Sequence, residues 1–127
     1  MNILYYYSEY SLYDIVDICA EKSNIKEFFF SPVNKLLEYD KMYSTNFVDT
    51  LKTYISNRNN QYRSARALSI HRNTLLYRIN KIQEIMEIDL NNQLTLLQLY
   101  LTFFMIDYTL NDKKVDTSQA KTKKQKN

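Results

Sequence analysis

The chain of 127 residues contains no glycine, one proline and one cysteine. Glycine supplies the positive-φ positions that tight hairpins and phosphate-cradling loops require. Its absence argues against a P-loop, a dinucleotide-binding fingerprint and a sheet-rich fold, and it favours helices. The single proline, Pro32, points the same way. A lone cysteine, Cys19, cannot close a disulfide within the chain and leaves no cysteine cluster for a metal. It reads as a small buried apolar residue in a reducing compartment. No apolar run is long enough to span a bilayer. Met1 leads into Asn2 and a tyrosine-rich stretch, without the basic start and apolar core of a signal peptide. The expected setting is the cytoplasm, with no membrane, metal or cofactor.

What the chain does have is an uneven charge map. Its formal net charge is only +3. Residues 1–49 hold eight acids against four bases, and residues 84–112 hold five acids and no base. Between them, residues 50–83 carry seven bases (Lys52, Arg58, Arg63, Arg66, Arg72, Arg78 and Lys81) and no acid. Such a basic island can be a solvated face, but an uninterrupted run dominated by arginine points to an anionic partner.

Hydrophobic residues make up 45% of the chain, enough for a core, and their spacing is largely helical. The β-branched and aromatic run at residues 2–7 offers a short strand. Ser11 then reads as an N-cap for a helix near 11–22, with Leu12, Ile15, Val16 and Cys19 on one face. Asn24 offers a cap for a short helix carrying Phe28 and Phe29. Ser31-Pro32 starts another, with Val33, Leu36 and Leu37 apolar, expected to end near Asp40. Ser44 to Asn46 caps an amphipathic helix carrying Phe47, Val48, Leu51, Tyr54 and Ile55. After the break at Asn57 to Asn60 come a short helix at 61–68 and a longer one at 72–87. The last helix, 94–108, is apolar nearly all round, which predicts a central core helix, a subunit interface, or both. From 111 the composition turns polar and lysine-rich, and the pattern predicts a disordered tail. The expected division is therefore an N-terminal helical linker, or the end of a preceding domain, over 1–43, a helical domain over 44–110, and the tail over 111–127. The fold class is all-α, a multi-helix bundle.

The central run from Asn59 to Ile85 has the pattern of a helix-turn-helix. Ala65 is the small residue where two helices cross, Leu68 and Ile70 bracket the turn, and Leu75, Ile79 and Ile82 line one side of the second helix. The other side is left for the major groove of double-stranded DNA. Arg72 and Asn73 open this second helix, where base edges are met, and Tyr77 and Leu76 follow. Arginine can grip guanine, and asparagine adenine, through two bonds each. Asn60 and Gln61 open the first helix, whose amides can face a phosphate. Arg63, Arg66, Thr74, Arg78 and Lys81 are the further phosphate candidates. Alternatives stand beside these. Arg66 can instead pair with an acid, Arg78 can be partly buried and structural, and Tyr77 can simply pack its ring. His71 reads as a cap or packing residue.

The run ARALSIHRNTLLYRINKIQEI closely resembles the C-terminal helix-turn-helix domain of PucR/CdaR-type bacterial transcription regulators. The residues that carry the resemblance are Ala65-Arg66-Ala67-Leu68, Ile70-His71-Arg72-Asn73-Thr74-Leu75 and Tyr77-Arg78. It extends upstream to Leu36-Leu37-Glu38-Tyr39-Asp40 and downstream to Ile88-Asp89-Leu90, covering residues 34–108. Residues 3–30 look like the segment joining this domain to a preceding one, so the resemblance reads Met1 as a boundary. It implies a Fis-like helical domain working as a homodimer or higher homo-oligomer, with an effector-sensing domain N-terminal to it. Leu76 and Asn80 stand where the family often has arginine. Glu87 replaces a common glycine, which predicts a less sharp end to the recognition helix.

Two functions follow as expectations. The first is sequence-specific DNA binding by a transcription regulator. The second is a protein-interaction module using helix 94–108. An enzyme is disfavoured, because one histidine, one cysteine and scattered surface acids form no constellation for chemistry.

Overall fold

The structure, a computed structural model, describes the backbone of residues 3–125 and the side chains of residues 11–111. All regular elements among the described residues are helical. The chain forms two compact units. One comprises Met1–Phe29 with Leu101–Asn127, the other Phe30–Tyr100. The residues expected to end a linker at position 43 therefore lie within the second unit from Phe30 onward.

In the first unit, α1 (Ile3–Lys22) starts well before Ser11, which is interior to the helix and caps nothing. Residues 3–7, expected as strand, are helical. No partner strand exists among the described residues, and a helix satisfies its own backbone groups where a lone strand cannot. A single 3-10 turn, Ile25–Phe28, follows, with the Asn24 side chain accepting from the Lys26 amide at 3.1 Å. Val16, Ile25 and Met105 form a small buried cluster, with Phe29, Phe104 and Tyr108 packed against it. Tyr13 meets Phe104 at 4.9 Å between ring centroids, and the Tyr108 hydroxyl donates to Asp17. Leu12, Ile15 and Ile18 remain exposed.

The last helix, α6 (Gln93–Gln125), begins in the second unit and ends in the first. Its backbone stays helical to Gln125, where an irregular tail was expected from composition. Neither glycine nor proline interrupts residues 93–125. Extending an existing helix through lysine and glutamine avoids the cost of nucleation.

The second unit contains α2 (Pro32–Tyr43), α3 (Phe47–Ser56), α4 (Gln61–Ala67), α5 (Arg72–Met86) and the start of α6. Pro32 sits in the first turn of α2, where its missing N–H costs nothing. α2 runs past Asp40 and stops at Ser44, whose φ of 52° is left-handed. Val33 and Leu36 are buried, whereas Leu37, expected on the same face, is 44% exposed. Asn46 occupies the N-cap position of α3 but makes no side-chain bond. The carboxylate of Asp40 does that work, accepting from the amides of Phe47 at 2.8 Å and Val48 at 2.9 Å and from the Thr45 hydroxyl. The first orphan amides of α3 are thus satisfied by the preceding helix. α5 packs against α2, α3 and α4. The fully enclosed side chains of this unit include Val33, Leu36, Thr50, Leu51, Ile55, Leu75, Ile82, Met86, Leu90 and Leu99. The Tyr100 hydroxyl donates to the Ile55 carbonyl, and burial raises the phenol pKa above its ordinary value.

Candidate nucleic-acid interface

α4, the turn at Leu68–His71 and α5 form a helix-turn-helix. Asn60 caps α4 as the sequence predicts, its side chain accepting from the Arg63 amide at 3.0 Å. Ala65 is 5% exposed where α4 meets α5. The turn is closed by Ser69, whose φ of 55° is left-handed, and by the Ile70 amide donating to the Ala65 carbonyl at 3.0 Å. A serine therefore does here what glycine commonly does. Leu68 and Ile70 are half-buried on either side.

Leu75, Ile79, Ile82 and Met86 form the buried stripe of α5. Their spacing leaves Arg72, Asn73, Thr74 and Tyr77 on the exposed side, with Leu76 half-buried beside them. Tyr77 is 66% exposed, so its ring does not pack into the core. His71 holds the N-cap position of α5 through its backbone, but its ring is exposed and makes no capping bond. His71 is thus a cap residue, as the sequence predicts, by its backbone rather than its imidazole.

The basic residues separate by environment. Arg63 and Arg66 are exposed, and no described carboxylate pairs with either. Arg66 also lines an open depression of about 520 Å³ beside the turn, together with Ala65, Ser69, Ile70, His71 and Thr74. Arg78 is half-buried and reaches the hydroxyl of Thr50, itself fully buried on α3, at 3.4 Å. That contact supports the structural one of its two readings. Lys81 is half-buried and lies 3.8 Å from Glu84 one turn on, a loose pair of small energetic consequence.

Gln61 and Arg72 meet across the motif. The Nε of Arg72 donates to Oε1 of Gln61 at 3.0 Å, and the guanidinium lies 5.0 Å from the centroid of the Tyr62 ring. The side-chain carbonyl of Gln61 is thus directed to the arginine, while the phosphate role expected of this position concerns its backbone amide at the start of α4. Tyr62 was not singled out by the sequence at all. No local sequence signal marks it, because its partner Arg72 lies ten residues along the chain.

At the far end, Glu87 ends α5 with a left-handed φ of 57°, its amide bonding the Gln83 carbonyl. The helix stops as sharply as glycine would stop it, contrary to the sequence expectation. Lys35 on α2 donates to Glu87 at 2.9 Å, and this bond and the lysine charge hold the Glu87 carboxyl below its ordinary pKa.

The sequence pattern of the PucR C-terminal helix-turn-helix domain matches residues 47–103, from the start of α3 into α6. Those residues belong to that family. The matched PucR-type domain contains every element that builds the exposed face of α5. Over 89 residues the chain is 36% identical to the DNA-binding transcriptional activator AdeR of Bacillus subtilis (strain 168), covering 70% of this chain and 21% of that protein. Over 105 residues it is 33% identical to the proline-responsive transcriptional activator PutR of the same organism, covering 83% of this chain and 26% of that protein. The chain therefore spans about a quarter or less of the length of these relatives. No solved structure is significantly similar to it.

Among the described residues no helix is long and apolar enough to cross a membrane, and no group of three or more His, Cys, Asp or Glu side chains could hold a metal ion.

Proposed function

We propose that the chain is the DNA-reading part of a bacterial transcription regulator and binds double-stranded DNA sequence-specifically, with α5 in the major groove. The observation that carries this reading is the two-sided character of α5. Leu75, Ile79 and Ile82 are buried, while Arg72, Asn73 and Tyr77 stand exposed within a stretch, 50–83, that contains no acid. Arg72, Asn73, Tyr77 and Leu76 read bases. Arg63, Arg66 and Thr74 contact phosphates, with Arg78, Lys81 and the backbone amides at Asn60 and Gln61 at the margins of that contact. The names of both curated relatives support the same reading. The setting is the cytoplasm, and the role is binding rather than catalysis.

The test is enrichment of genomic fragments by the chain, followed by titration of an enriched duplex at several salt concentrations. Binding should weaken steeply as salt rises, because phosphate contacts release counterions. Arg72→Ala should cost about 1–3 kcal/mol on the enriched duplex and relax specificity at one position. Absence of any enriched fragment sinks the reading.

One helix-turn-helix reads only a few base pairs, so two half-sites and a homodimer are expected. The exposure of Leu94 (64%) and Leu97 (62%) supports this. The same exposure favours the second reading, a protein-interaction module working through α6. In that case Leu97→Asp abolishes partner capture and leaves DNA binding unaffected. A strictly monomeric mass at micromolar concentration counts against the dimer.

A further inference from the structure

We propose that Gln61 and Tyr62 are positioning residues that pre-set Arg72 for a single guanine, so that they determine specificity without touching the base. The inference rests on the DNA-binding reading of α5 and assigns the residues that make its first side chain selective.

The argument begins with the donors of arginine. A guanidinium carries five N–H groups in a rigid planar fork. In Arg72 the Nε–H is taken by Oε1 of Gln61 at 3.0 Å. The edge formed by the two Nη groups has no described partner, and it is the edge that can donate in parallel to O6 and N7 of guanine. An exposed arginine with no anchor samples many rotamers and must lose that freedom when it meets a base. The Gln61 bond fixes the plane of the fork about one donor, and the Tyr62 ring, 5.0 Å from the guanidinium carbon, supports it from one face. Both supports come from the first turn of α4, an element held in place by buried Ser64 and Ala65. Tyr62 is 70% exposed, so its ring is not recruited by the core. A glutamine that touched phosphate instead would add affinity for every sequence alike, since phosphate contacts carry no sequence information.

The experiment is selection from a randomised duplex pool by the 127-residue chain and its variants, with the enriched duplexes then titrated individually. Arg72→Ala identifies the guanine by erasing its preference. Gln61→Ala should reduce the preference at that same position about threefold to tenfold, the worth of one hydrogen bond, and leave the other positions as they were. Gln61→Glu should retain the preference, because a carboxylate oxygen still accepts from Nε. Tyr62→Leu should weaken the preference, and Tyr62→Phe should keep it. Helicity by circular dichroism identifies a variant that fails to fold. If Gln61→Ala does so, Tyr62→Leu carries the test.

Uniform weakening by Gln61→Ala at all positions overturns the proposal in favour of a phosphate role. An unchanged preference in both Gln61→Ala and Tyr62→Leu overturns it as well. Either result leaves DNA binding intact. A wild-type chain that enriches no duplex overturns both readings together.

Discussion

Replacing Asp40 by alanine removes the side chain that closes the N-terminus of α3, the helix on which Arg78 and much of the core rest. Two amides, those of Phe47 and Val48, donate to its two carboxylate oxygens at 2.8 and 2.9 Å. Hydrogen bonds to a charged group contribute about 1.5–3 kcal/mol each when buried. Measured losses of helix N-caps are smaller, about 0.5–2 kcal/mol, because water reaches the freed amides. Asp40 and its bonds are partly buried, so the pair should lie between these ranges. Asp40→Ala is expected to destabilise the fold by about 2–3 kcal/mol. Asp40→Asn keeps one acceptor and turns an N–H donor towards the other amide, so about 1–1.5 kcal/mol should be lost. Asp49, exposed in the first turn of the same helix, is the control. Its alanine variant gives up only the interaction with the helix dipole, about 0.3–1 kcal/mol. Urea unfolding followed by circular dichroism and tyrosine fluorescence measures all three, with coincident transitions as the check on two-state behaviour. An Asp40→Ala midpoint no lower than that of Asp49→Ala refutes the reasoning.

Leu75→Ala should cost about 2–5 kcal/mol in the same unfolding assay, since Leu75 is fully enclosed. Tyr77→Ala should leave stability within about 0.5 kcal/mol of wild type while lowering affinity for the enriched duplex. The Lys35–Glu87 pair predicts a pH dependence in the acidic range. The folded pKa of Glu87 lies below its ordinary value because of Lys35, so the pair stabilises above the ordinary carboxylate pKa. That contribution disappears as pH falls through the lowered value, and Lys35→Ala should flatten this part of the stability profile. A profile identical in wild type and variant would remove the pair from the account.

The helix-turn-helix was legible in the sequence because local rules build it. The spacing of Leu75, Ile79 and Ile82, the small Ala65 and the Asn60 cap each need only neighbours within a turn or two. The residues that refine the site belong to pairs distant in sequence. Arg72 finds Gln61 eleven residues back, and Lys35 finds Glu87 across fifty-two. Asp40 supersedes Asn46 as the cap of α3 because the bend at Ser44 brings the end of α2 onto the next helix, which no periodicity announces. The strand expected at 2–7 failed for a different reason. A short aromatic run reads as β only if a partner strand exists, and sequence patterning does not register its absence. The all-round apolarity of residues 94–108 predicts a core helix, a subunit interface, or both; Leu99, Phe103 and Met105 are buried within the chain, while Leu94 and Leu97 face outward, a division that apolarity alone does not announce.

A chain without glycine still turns left-handed at Ser44, Arg58, Asn59, Ser69 and Glu87. For residues with a Cβ that geometry costs about 1–2 kcal/mol each, less for asparagine. The connections between its helices are therefore a reserve of stability that the protein has left unclaimed. Glycine at Ser44 or Arg58, away from the Leu68–His71 turn, is the simplest way to draw on it, and a hardened scaffold made in this way would keep the face of α5 unaltered.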